Sequence, residues 1–154
     1  IAYALRNNEL CASAELGLLP VLVEVIREDK GDARVNALCA VHHIVFSVEN
    51  TELFASSELG LLPVLVEVIR EDKGQARVKA LGAVHNIAST AENRVLCASN
   101  ELGLLPLLVD VIREDKGDAR VNALCAVHHI VFSVENTELF ASSELGLLPV
   151  LVEV

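Results

Sequence analysis

The sequence predicts an all-α solenoid, a stack of similar helical units with no single closed core. Three observations carry that prediction. The pentapeptide Leu-Gly-Leu-Leu-Pro occurs four times, at Leu16–Pro20, Leu59–Pro63, Leu102–Pro106 and Leu145–Pro149, with a constant spacing of 43 residues. A fixed period of this length is the signature of a repeat array, and a unit so short cannot bury its own apolar face without a neighbour. Of the 154 residues, 53% are hydrophobic but only 3% are aromatic, with no Trp or Met. The apolar mass is Leu, Val, Ala and Ile, which suits helix packed on helix.

The elements follow in order within each unit. A partial unit, 1–6, precedes complete units at 7–49, 50–92 and 93–135, and a last partial unit runs 136–154. Together they form one repeat array, read here as a window of a longer one. Each complete unit opens on Asn (Asn7, Asn50, Asn93), a good N-cap for a short first helix, as before Thr51–Ser56. Gly60 then ends that helix in a left-handed turn. Leu61-Leu62-Pro63 starts the second helix, because Pro is tolerated in a first turn. Leu62, Leu65, Val66 and Ile69 give it an apolar stripe, and Lys73-Gly74 stops it. The third helix is expected over Asp32–Val48 and Gln75–Thr90, capped by Asp32 in the first case. Its core stripe is Ala37, Leu38, Val41, Ile44 and Val45.

A short helix, a helix opening on Gly-x-Leu-Pro and a longer third helix in 43 residues resemble the armadillo repeat over the whole chain. Gly-Leu-Leu-Pro-Val-Leu-Val-Glu-Val-Ile (17–26 and 60–69) is similar to that family's second-helix motif, and Ala80–Ile87 is similar to its third-helix motif. Asp32-Ala-Arg-Val is HEAT-like, but the extra short helix and the Gly turn favour armadillo. The resemblance implies a right-handed superhelix of three-helix repeats. It also implies a concave groove lined by third helices, where a family Asn hydrogen-bonds the backbone of an extended peptide.

Comparison of the units with one another locates the surface that changes. Residues 17–31 and 60–74 are identical, whereas 25–68 and 111–154 are identical over 44 positions. The array is a duplicated two-unit block. The alternation falls on the third helix: Asp32/Gln75, Asn36/Lys79, Cys39/Gly82, His43/Asn86 and Phe46/Ser89. Spacings of four and three residues place these positions on one helix face. The expected contact surface is therefore Asn36, Cys39, His43, Lys79, Gly82, Asn86, Asn122, Cys125 and His129. Asn86 is the match to the family's backbone-binding Asn, since an amide both donates and accepts. His43 and His129 hold the equivalent places, and Cys39, Gly82 and Cys125 stand where the family often has Trp. That departure counts against recognition of basic nuclear-import signals.

Other constellations carry less. The formal net charge of −10 argues against nucleic acid or an anionic membrane as partner. The longest apolar run, Leu16–Val23, stops at Glu24, too short to span a bilayer. Cys11 and Cys97 exchange with Phe54 and Phe140 between units, so the thiols read as small hydrophobes in a reducing compartment. An intracellular, cytoplasmic location follows from that reading. Cys39, His42 and His43 have a metal-like spacing, but no fourth ligand is evident and no metal or cofactor is expected. His42, His85 and His128 are expected to pack where neighbouring third helices meet. Neither an oriented base nor an oxyanion site accompanies the Cys–His pairs, so no catalysis is expected. The Arg-Glu-Asp-Lys runs read as solvated helix ends. The function these features support is a protein-interaction scaffold for a protein or peptide partner. The alternative is a spacer solenoid that self-associates through its repeat ends into filaments.

Overall fold

The computed structural model describes residues 7, 10–13, 15–46, 54 and 58–133. Among these, seven helices have defined bounds: α1 (Leu18–Glu28), α2 (Gly31–Val45), α3 (Leu61–Glu71), α4 (Gln75–Ile87), α5 (Ala91–Ala98), α6 (Leu104–Glu114) and α7 (Gly117–Val131). Helices α5, α6 and α7 make one complete three-helix unit. Helices α1 and α2, and α3 and α4, are the second and third helices of the two units before it.

The second helices begin alike. Gly17, Gly60 and Gly103 adopt φ of 61°, 63° and 64° at the N-cap, a left-handed turn that only Gly enters cheaply. Pro20, Pro63 and Pro106 fall in the first turn, where a missing N–H removes no intrahelical bond. Each helix ends in the same manner, with the N–H of Asp29, Asp72 or Asp115 donating to the carbonyl of Val25, Val68 or Val111. An Arg in each last turn complements the helix dipole.

Burial comes from neighbours. The sequence around Val21 repeats without change around Val64, yet Val21 is 53% exposed and Val64 only 2%. Val64 lies on α3, which packs against α1 on one side and α6 on the other. Leu62, Leu65, Val66 and Ile69 are all buried, and so are Ala37, Leu38, Val41, Ile44 and Val45. Both core stripes expected from spacing are therefore found. Cys97 and Phe54, which occupy equivalent positions in successive units, are both completely buried. Burial pushes the Cys97 thiol up to about 12, so it behaves as a small hydrophobe.

Several element ends differ from the sequence reading. The short helix α5 starts at Ala91 with Thr90 as N-cap, and Asn93 is a buried residue in its first turn. Asn93 therefore lies inside the helix and is not its N-cap, while Asn50 lies outside the described residues. Helix α2 begins at Gly31 with Lys30 as N-cap. Asp32 sits one position further in, where its charge still complements the dipole. The third helices end three residues early, α2 at Val45 and α4 at Ile87. Arg94 closes α4 by donating through Nη2 to Ser89 O at 2.7 Å and through Nε to Ala88 O at 3.3 Å.

The Arg-Glu-Asp-Lys runs are not simply solvated. Arg34 is buried and donates through Nε to Asp29 O at 2.7 Å, through Nη2 to Arg27 O at 3.2 Å, and through Nη1 to the Asp72 carboxylate of the next unit. Arg77 repeats the pattern, with Nε to Asp72 O at 2.8 Å and Nη1 to Asp115 Oδ2 at 2.7 Å. Each Arg thus caps the C-terminus of its own second helix and ties that unit to the next. Arg120 continues the pattern in part, with Nη2 to Arg113 O at 3.4 Å.

Neighbouring third helices, α2 with α4 and α4 with α7, pack far more extensively than neighbouring second helices do. A stack that is tight on one side and splayed on the other must bend. The third helices lie on the inner side of that bend.

Candidate partner-binding face

The inner face is built from α2, α4 and α7, and all nine residues expected to form the contact surface lie on these helices. Asn36 and His43 are exposed, and Cys39, Lys79, Asn86, Asn122, Cys125 and His129 are half-buried. Gly82 is an exception. It is buried, and a Cβ at this position would meet His42 Nδ1 at 2.8 Å and Asn122 Nδ2 at 3.5 Å. Gly82 supplies clearance for a neighbouring imidazole, not surface for a partner.

Two of the amides are partly engaged inside the array. Asn86 Nδ2 donates to His42 O at 3.4 Å, and Asn122 Nδ2 donates to Val78 O at 3.1 Å. Each bond joins one third helix to the preceding one. The Asn86 bond is long, and among the described residues its Oδ1 takes no partner, so this amide retains capacity toward a ligand.

The histidines mark the joints between units. His42 lies over Gly82, and its Nδ1 is buried without a hydrogen-bond partner among the described residues. Burial lowers its pKa, the charges of His43 and Lys79 lower it further, and the Gly82 backbone pulls weakly the other way. His85 stacks on His129 with ring centroids 4.9 Å apart and planes 22° from parallel. Burial lowers the pKa of His85, followed by His129, His42 and His128, and it lowers that of His129, followed by His128 and Arg94. His42 and His85 thus occupy the junctions expected of them. His128 is exposed, edge-on to His129 at 5.7 Å.

A hollow of about 300 Å³ opens beside the His85–His129 stack, lined by Val45, Phe46, His85, Asn86, Ser89 and His129. It draws on both joints and brings two of the expected residues, Asn86 and His129, to one place. The other seven line the face elsewhere or, for Gly82, lie beneath it. Phe46 and Ser89 were visible in the sequence as alternating positions at the helix end. Phe46 is 72% exposed, as is its equivalent Phe132 at 73%. The Arg94 guanidinium lies 5.7 Å from the centroid of the Phe132 ring. His85 does not alternate between units, so no comparison of units could single it out.

Among the described residues no three His, Cys, Asp or Glu side chains come together to hold a metal, and no helix is long and apolar enough to cross a membrane. No protein-family model matches the sequence, and no curated protein matches it significantly. Solved structures do match. A designed armadillo repeat protein in complex with the peptide (KR)4 superposes with a TM-score of 0.80 at 24% identity, covering 97% of this chain and 65% of that one. One of a set of computationally designed armadillo repeat proteins for modular peptide recognition gives 0.76 at 26% identity, covering 90% and 57%. A further designed armadillo repeat protein gives 0.79 at 25% identity, covering 97% and 65%.

The chain has the armadillo-repeat fold. It is a right-handed superhelix of three-helix units, and it spans at most 65% of the length of these designed proteins. The fold is consistent with a protein–protein interaction scaffold.

Proposed function

We propose that the chain is a protein-interaction scaffold that takes an extended peptide segment of its partner along the inner, third-helix face. One observation carries this reading: the hollow bounded by Val45, Phe46, His85, Asn86, Ser89 and His129 lies on the face where the units alternate. An exposed phenyl ring beside an amide with spare capacity suits a peptide, which offers an apolar side chain and backbone groups together. Two structural relatives, described as bound to (KR)4 and as designed for modular peptide recognition, support the use of this fold for such ligands. The free thiols of Cys11, Cys39 and Cys125, each half-buried, support a reducing intracellular setting.

Selection from a displayed random-peptide library tests the reading. Enriched peptides should lose about tenfold in affinity, roughly 1.4 kcal/mol, on Phe46→Ala or Asn86→Ala. Glu67→Ala, an exposed change on the outer helix α3, should leave affinity unaltered. Equal losses at Glu67, or no enrichment at all, would remove the inner face as a peptide groove.

A further inference from the structure

Among the described residues, the charged groups that act on the histidines near the third-helix C-termini are all bases, in a chain whose formal net charge is −10. The groups bearing on His85 are His42 from α2 and His128 and His129 from α7; on His129 they are His128 and Arg94 of α5; on His42 they are His43 and Lys79 of α4. Helix α3, also packed against α4, adds no charge to His85. Every one of these groups is a base. The acids of the same helices, Asp32 and Asp118, sit in their first turns, at the far end from the histidines of the last turns.

The hollow has a matching composition. Val45 and Phe46 form an apolar wall, while Asn86, Ser89, His85 and His129 offer hydrogen-bond donors. Donors and latent positive charge on one side with apolar carbon on the other match a carboxylate next to an apolar side chain. We propose that the inner face takes an acidic extended peptide, seating a carboxylate at the His85–His129 pair and an apolar side chain against Phe46, with proton uptake by the pair. The proposal rests on the reading of this face as a peptide groove.

The proton coupling follows from the stack. In the free protein two imidazoles 4.9 Å apart, half-buried and surrounded by bases, resist protonation. A carboxylate seated beside the stack supplies a counter-charge and raises their pKa in the complex. The gain in affinity is then complete below the free-state pKa and is lost as pH rises through the bound-state pKa. Each proton taken up steepens affinity by up to about tenfold per pH unit in the window between them. A Lys- or Arg-rich segment meets charge of its own sign beside these histidines.

The test uses three fluorescent peptides of about eight residues, alternating Glu-Leu, Gln-Leu and Lys-Leu. Binding is followed by anisotropy at about pH 7.5 and about pH 5.8, where Glu, with a pKa of about 4.3, stays ionised. The Glu-Leu peptide should bind about tenfold or more tighter at the lower pH, and the Gln-Leu peptide should change less than about twofold. His85→Gln with His129→Gln should abolish most of the gain. Proton NMR of the parent should show the His85 and His129 pKa values rising when the Glu-Leu peptide is added, and this decides the matter even if the double variant fails to fold by circular dichroism. Equal pH dependence for the Glu-Leu and Gln-Leu peptides, or tighter binding of the Lys-Leu peptide at low pH, would refute the carboxylate site while leaving the groove in place. Binding of none of the three at either pH would overturn the groove reading and this inference with it.

Discussion

Replacing Arg77 by Met should separate what the inter-unit ladder contributes from what surface ion pairs contribute. The Arg77 side chain is 5% exposed and that of its partner Asp115 is 19%. Its guanidinium holds Asp115 Oδ2 at 2.7 Å and Asp72 O at 2.8 Å. Met keeps most of the buried methylene volume and removes both bonds. Breaking a fully buried pair costs about 3–5 kcal/mol because the remaining charge is stranded. Asp115 keeps some access to water, so about 3 kcal/mol is the expected loss, a large share of the roughly 5–15 kcal/mol that holds a typical domain. The control is Lys30→Met. Lys30 Nζ lies 3.4 Å from Glu71 Oε2, but both side chains are more than 60% exposed, and such pairs contribute about 0–1 kcal/mol. Urea unfolding followed by circular dichroism measures both. Because units interact mainly with their nearest neighbours, Arg77→Met should also broaden the transition, lowering the apparent m-value as the units on either side uncouple. A loss under about 1 kcal/mol, or equal losses at Arg77 and Lys30, would refute the ladder as the tie between units.

Three further outcomes are expected. Gly82→Ala should destabilise the array by about 1 kcal/mol, since the about 1 kcal/mol gained in helix propensity is outweighed by a Cβ placed 2.8 Å from His42 Nδ1; with His42→Ala in the same chain, urea unfolding should show a net gain instead. Stability should fall as pH is lowered from about 7.5 to about 5.5, because His42, His85 and His129 have folded pKa values below the unfolded value near 6.5; the unfolded chain then binds more protons in that window, and a flat stability–pH curve would contradict it. Among the described cysteines, Cys39 and Cys125 should react with a disulfide reagent at about pH 8 in the folded state, whereas Cys97, its thiol pushed up to about 12, should react only on unfolding, as read by mass spectrometry of the labelled peptides.

The parts of the fold governed by short-range rules were legible in the sequence. The positions Ala37, Leu38, Val41, Ile44 and Val45 follow from helical periodicity alone, and all are buried. The left-handed turns at Gly60 and Gly103 follow from the residue type. The parts that depend on the next unit were not legible. Arg34 and Arg77 look like ordinary surface bases, and only the stacking of one unit on another brings Asp72 and Asp115 within reach. The role of Asn93 was misjudged for a related reason. Its side chain can cap, but the chain enters α5 earlier, at Thr90, and the Asn turns inward. Of the candidate face, the helix and the stripe were readable from the alternation. Which members meet in one hollow was not, because Asn86 and His129 belong to different units and are joined by His85.

The alternation itself has two physical sources, and the structure separates them. At the joint between α2 and α4, an imidazole lies over a glycine, His42 over Gly82, with Asn86 bonding the His42 carbonyl. At the joint between α4 and α7, an imidazole stacks on an imidazole, His85 on His129, with Asn122 bonding the Val78 carbonyl. The two joints are built differently. Placing a Cys at 82, as at 39 and 125, would drive a side chain into His42. The unit that gives clearance at one joint must therefore alternate with the unit that supplies the second ring at the other. This accounts for duplication as a two-unit block, and it assigns Gly82 and Asn122 to the fit between units. Asn36 and His43, the counterparts of Asn122 and His129 in the first of the described units, are exposed. Phe46 becomes Ser89 at the rim of the hollow, where no joint requires the exchange. The Phe46/Ser89 exchange is the part of the alternation that the joints do not explain, and a ligand on the inner face would be read there first.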